Sequence, residues 1–208
     1  KILEVLESFK VVVDRLYNNK HSIMKGLHNS YYAVSAGVRG ENKLFEELEL
    51  FNDICTCVPN IRIETENTTV ESDAIIIMPN GVFCVEIKNY GDNKNSGKLS
   101  ISKDGRWTRT DSTGRSVPIE NTVSQLNRHI GLTQRVLNNE LKKIYGEDIG
   151  YVFLNPLIVI ANDYIDICNE SEMPIVRISN VYHYIINKSS TNKLDKNISE
   201  NKEKKLKT

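Results

Sequence analysis

Three residues of this chain have the types and spacing to do chemistry together: Asp73, Glu86 and Lys88, all within VESDAIIIMPNGVFCVEIKNY, Val70 to Tyr90. Glu86 and Lys88 stand two apart, and strand side chains two apart leave the same face, so a carboxylate emerges beside an ammonium. The Pro79-Asn80-Gly81 turn divides the segment into two antiparallel strands. Pairing them about that turn carries Asp73 toward Glu86. Two acidic oxygen donors and one basic nitrogen at a sheet edge suit a hard divalent cation. Taken singly, each residue is more commonly part of a surface ion pair. Their grouping on adjacent strands is what favours a metal site.

The elements around this pair of strands must position it. From Ile2 to Leu27 the apolar residues Ile2, Leu6, Phe9, Val13, Leu16, Ile23 and Leu27 follow heptad-like steps broken only by Lys20, which predicts one helix. Two readings of it stand: a coiled-coil helix that makes a homodimer or binds a partner, and a helix that packs on its own domain. Gly37-Val38-Arg39-Gly40 reads as a break before a second helix, Glu41 to Asn52, whose buried stripe is Leu44, Phe45, Leu48 and Phe51. Glu41 projects from the edge of that inward face, where an acid is unusual; a first-turn glutamate in water is the commoner case.

Ile61 to Glu64 alternates as a strand, and a polar turn spans Thr65 to Thr69. Ile75, Ile76 and Ile77 run without alternation, which predicts a strand covered on both faces. Gly91 to Gly97 reads as a mobile loop, and Lys103-Asp104-Gly105 as the turn of a hairpin between Lys98 to Ser102 and Arg106 to Thr110. A long helix is expected from Ile119 to Ile144, with Ile119, Val123, Leu126, Ile130, Leu137, Leu141 and Ile144 inward and a polar stripe of Asn121, Gln125, Arg128 and Arg135 outward. Strands at Leu157 to Ala161 and Ile175 to Ile178 follow, then a helix from Val181 to Ile186 capped by Ser179 or Asn180. The lysine-rich stretch after Thr191 has little to bury and is expected to be disordered.

With 208 residues the chain holds one full core plus extensions, and its 27 basic and 27 acidic residues balance, so any basic footprint is local. No apolar run approaches the roughly 20 residues that span a bilayer. Cys55, Cys57, Cys84 and Cys168 lack zinc-site spacing and read as free, mostly buried thiols. A cytoplasmic protein is the expectation. His21, His28, His129 and His183 are scattered singly, and none is expected to ligate a metal.

The order helix, strand, strand, strand, helix, strand, with Glu41, Asp73, Glu86 and Lys88 at its centre, resembles the restriction-endonuclease-like fold of the PD-(D/E)XK nucleases. More narrowly it resembles the NERD, or nuclease-related, domain. The matching pieces are Gly37 to Glu41, Ser72-Asp73 before the isoleucines, Gly81 to Tyr90, Trp107, and Asn121 with Gln125. Two departures are Thr122, where the family usually has proline, and the lengthened Asp92 to Gly97 loop. Domain limits follow: a helical extension over 1–36, the nuclease-like α/β domain over 37–190 with its central mixed sheet flanked by helices, and the tail over 191–208.

The resemblance implies a metal-dependent nuclease, acting on DNA more than RNA, as a module of a DNA-processing or defence protein. The alternative is a binding module that keeps the fold without cutting. Magnesium, or manganese, is the implied cofactor, held by Asp73 and Glu86, by the carbonyl of Ile87, and by Glu41 directly or through water. Lys88 would orient or deprotonate a water, and Gln125 would position Lys88, the water or the phosphate. Asn89, Tyr90, Arg128 and Arg135 are the residues expected to meet nucleic acid.

Overall fold

The computed structural model describes residues 2–18, 24–65, 68–90 and 97–188. Its centre is a mixed five-stranded sheet in the order β1-β2-β3-β7-β9. Strand β1 (Thr56–Thr65), β2 (Thr68–Met78) and β3 (Gly81–Lys88) run antiparallel; β7 (Leu154–Ile160) and β9 (Ile175–Arg177) continue parallel to β3. A smaller sheet, β6-β5-β4-β8, is built from β4 (Lys98–Ile101), β5 (Trp107–Thr110), β6 (Ser116–Ile119) and β8 (Asp166–Asn169). Helices α1 (Ile2–Asn18), α2 (Met24–Glu49), α3 (Thr122–Tyr145) and α4 (Val181–Asn187) complete the order. The expected succession of helix, three strands, helix and strand is present as α2, β1 to β3, α3 and β7. Among the described residues no helix is long and apolar enough to cross a membrane.

Strand alternation sends the two faces of the main sheet into different cores. Ala74, Ile76, Phe83, Val85 and Ile87 face Leu44 and Leu48 of α2 and Val181 and Ile185 of α4. Ile75 and Cys84 face the other way, onto Leu126 of α3 and Leu99, Ile101 and Trp107 of the small sheet. Glu86 and Lys88 follow Cys84 at steps of two, so the strand pleat aims them at α3.

The sequence places several boundaries differently. The chain does not break at Gly37 to Gly40: α2 runs through both glycines, the expected break before Glu41 is absent, and Leu27 belongs to α2. The 36/37 division of the chain therefore falls inside one helix. The break in the heptad pattern at Lys20, parts of the expected 65–69 and 91–97 loops, and the 191–208 tail lie outside the described residues. Ile75 and Ile76 are covered, but Ile77 is exposed, because it borders an open apolar groove between β1 and α3 lined by Val58, Ile61, Leu137 and Leu141. Ile144 also faces solvent.

Asn121 is the N-cap of α3, not a member of its outward stripe, and its side chain accepts from the Ser124 amide at 3.0 Å. Strand β1 continues through Pro59, which an edge strand tolerates. Strands β6 and β8 are additional to the expected elements: each is only four residues long, and Pro118 argues against a strand at β6.

Gly40 sits where α2 crosses the end of β3 and β7. A Cβ there would stand 3.1 Å from the Ala161 Cβ and 3.2 Å from the Asn89 Cβ, whereas at Gly37 nothing lies within 4 Å. Alanine gains about 1 kcal/mol over glycine in a helix interior, while forcing a methyl into packed β-carbons costs about 1–3 kcal/mol. Gly37→Ala is therefore expected to raise the urea midpoint and Gly40→Ala to lower it or leave it unmoved. Equal stabilisation by both would show that α2 does not pack against β3 this closely.

Candidate functional site

Strands β2 and β3 pair only as far as Ala74 and Val85. Continuing the register would put Ser72 opposite Ile87, yet β2 turns away there with β1 to form a two-stranded arm, Ile61 to Thr65 with Thr68 to Ser72. Asn60, opposite Asp73 in the β1 register, has φ 50° at the bend, which asparagine tolerates. The separation strands the Ile87 amide, and the Asp73 carboxylate takes it at 2.6 Å through Oδ2. One side chain thus replaces a rung of the sheet at the fork. Because a strand residue's N–H and C=O point to the same side, the Ile87 carbonyl also faces the fork beside Asp73.

Glu86 is 3% exposed. Its Oε1 accepts from Lys88 Nζ at 2.8 Å, and the same ammonium donates to Gln125 Oε1 at 3.2 Å. Its Oε2 is buried without a hydrogen-bond partner. Facing that oxygen at 3.7 Å is Nδ1 of His129, also buried and without a partner. His129 is one helical turn after Gln125, on the face of α3 that meets the sheet. A single histidine carries no sequence signal of its own; only its i, i+4 relation to Gln125 could have pointed to it.

The charges act on one another. Burial first, and then the Glu86 charge, raise the Asp73 carboxyl to about 6. Burial, then Asp73, also raise Glu41, which reaches this field from α2 on the opposite face of the sheet. Burial lowers His129 below its ordinary value, which disfavours the imidazolium form. Among the described residues, no three of His, Cys, Asp and Glu stand close enough to hold a metal by themselves. Magnesium, however, is ordinarily held by one or two carboxylates and keeps several waters. A buried, unpartnered carboxylate oxygen beside a second acid fits such a cation. Asp73, Glu86 and the Ile87 carbonyl are the residues that could hold it; Glu41 is coupled to them through the charge of Asp73.

This geometry coincides with a family match. The nuclease-related domain, NERD, matches residues 36–161. The chain belongs to the NERD family. Searches of curated proteins and of solved structures found no match. The mixed sheet with flanking helices is the restriction-endonuclease-like architecture of that superfamily, and the NERD domain is nuclease-related by family. The match includes every member of the cluster, from Glu41 to His129.

Other residues expected at the NERD site are placed less uniformly. Asn89 donates to the Ala36 carbonyl at 2.8 Å, tying the end of β3 to α2. Tyr90 packs against the second core; its carbonyl accepts from Arg109 Nη2 at 3.0 Å, and burial raises its phenol to about 12. Both are anchoring positions. Arg128 and Arg135 are exposed on α3, seven residues apart and so on one side of the helix. All four cysteines are free; Cys55 and Cys84 are buried, Cys57 and Cys168 partly so.

Proposed function

We propose that this NERD domain hydrolyses phosphodiester bonds with the help of magnesium or manganese, with DNA as the substrate in preference to RNA. The observation that carries this reading is Glu86: a fully buried acid with one oxygen on Lys88 and the other unpartnered. Leaving one oxygen of a buried carboxylate without a hydrogen bond costs about 1–3 kcal/mol in a protein that only binds. In a cation site the same oxygen is a ligand held ready. This favours cutting over the non-cleaving alternative.

When bound, the cation would polarise the phosphate and lower the pKa of a water. Asp73, Glu86 and the Ile87 carbonyl would hold it, and Glu41 would act through water. Lys88, gripped between Glu86 and Gln125, would orient the attacking water and stabilise charge on the phosphate oxygens. Gln125 would fix the direction of the ammonium. His129 would limit the movement of Glu86 from the α3 side. Asn89 and Tyr90 contribute by anchoring the end of β3. Arg128 and Arg135 would meet phosphates farther along the strand, about 5 and 15 Å along α3 from Gln125. A reducing cytoplasm suits the four free thiols.

The test is cleavage of supercoiled, linear duplex and single-stranded DNA and of RNA, with magnesium, with manganese and with chelator. Metal-dependent cutting of DNA, faster than of RNA, is the expected result; a chain that cuts none of the four ends the proposal. Binding to duplex DNA supplies a separate measure. Arg128→Ala/Arg135→Ala is expected to weaken binding evenly across sequences and to make its log-log salt dependence shallower by about 2, close to 0.9 per lost phosphate contact. An unchanged salt slope would remove these arginines from the interface.

A further inference from the structure

Helices α1 and α2 form an antiparallel hairpin. Tyr17 stacks on His28 with centroids 4.0 Å apart, and Tyr32 donates to Asp14 at 2.9 Å, so residue numbers fall along one helix as they rise along the other. Val13 and Ser35 are buried and mark the inward directions. Beside this contact each helix carries a second stripe. On α1 it is Val5, Phe9, Val12 and Leu16, all between 38% and 60% exposed. On α2 it is Leu27, Tyr31, Val34 and Val38, of which Leu27 and Val34 are exposed and the other two half-buried.

Both stripes step by four, three and four residues. At 100° per residue each is centred about 70° from its inward direction, in the same rotational sense. In an antiparallel pair, equal rotations of the same sense bring two stripes to the same side. The eight residues therefore make one apolar face, about 16 Å long and two helices wide, and none of them is charged.

We propose that this face is closed by a second copy of the chain, giving a two-fold dimer whose α1/α2 hairpins form a four-helix bundle. Stripes with this repeat pack against stripes of the same repeat, and the matching face on the page is the same face of another copy. A two-fold axis normal to it makes the contact self-complementary. The exposed apolar area is on the order of 500 Å², at the upper end of what a monomer leaves open; with its polar margin it approaches the roughly 800 Å² per partner of a standard dimer. The dimer stands whether or not the site cuts. Val38 lies three residues before Glu41 on one unbroken helix, so α2 runs from the interface to the site.

The test is sedimentation equilibrium of the full 208-residue chain from 1 to 100 µM. The expected mass is twice the 23.7 kDa of the chain. Phe9→Glu and Val34→Glu, both at exposed positions, are expected to weaken the dimer at least 100-fold with helical circular dichroism retained. Val11→Glu, on another side of α1, is expected to leave it intact. Mixing Phe9→Glu with Phe9→Lys should restore pairing. A monomer at 100 µM, a larger open-ended assembly, or a dimer indifferent to both Phe9→Glu and Val34→Glu would overturn the proposal.

Discussion

Asp73→Asn is expected to abolish metal-dependent cleavage while raising the melting temperature of the metal-free protein at pH 7. The two effects have one cause. The folded Asp73 carboxyl is raised from 3.8 to about 6 by burial and by Glu86, so above pH 6 it is ionised at a cost of about 3 kcal/mol relative to the unfolded chain. The sign follows from proton counting. Between pH 4 and 6 the folded state holds a proton that the unfolded state has lost, so stability from this group falls as pH rises through that window and stays low above it.

Asparagine removes the charge and still offers an oxygen to the Ile87 amide. Magnesium should stabilise the wild-type protein more at pH 8 than at pH 5, and should not stabilise Asp73→Asn at either. Thermal melts with and without magnesium at the two pH values measure this directly. A variant that is no more stable without metal, or that keeps the magnesium response, would separate Asp73 from the cation.

Lys88→Ala is expected to lower cleavage by about 10²- to 10⁴-fold, the range for losing a group that moves a proton or stabilises transition-state charge. Magnesium binding by calorimetry should survive, since the ammonium is not a ligand. Stability should move opposite to the Asp73 case. Removing the partner of a buried carboxylate costs about 3–5 kcal/mol, and the Glu86–Lys88 pair is largely withdrawn from water. Saturating magnesium should return part of that loss by taking over as counter-ion. Cleavage at the wild-type rate by folded Lys88→Ala would exclude the role assigned to it.

Much of this arrangement was legible in the chain because strand periodicity is strict. The spacing of Glu86 and Lys88, and the turn at Pro79, fix which face each side chain leaves. The fork was not legible, since nothing in Thr68 to Ser72 signals that β2 follows β1 outward and leaves Ile87 to Asp73. The glycines of α2 misled for a related reason. Glycine is a break by propensity, but Gly40 serves close packing against Ala161 and Asn89, a property of the neighbours. His129 was invisible because its environment comes from β3, more than 40 residues away in sequence. The apolar seam of α1 was visible as one stripe but divides in three dimensions: Val13 turns to α2, while Phe9 and Leu16 remain outside.

The fork at Asp73 also constrains how this chain can change over generations. The carboxylate closes the sheet at Ile87 and, in the proposed chemistry, also holds the cation, so a lineage that stops cutting is not free to place any residue there. Alanine or valine would strand a backbone amide; asparagine keeps the rung and removes the charge. The easiest route to an inactive descendant is therefore a single acid-to-amide exchange that leaves a more stable protein behind, and reversion by the same single step keeps the route open in both directions.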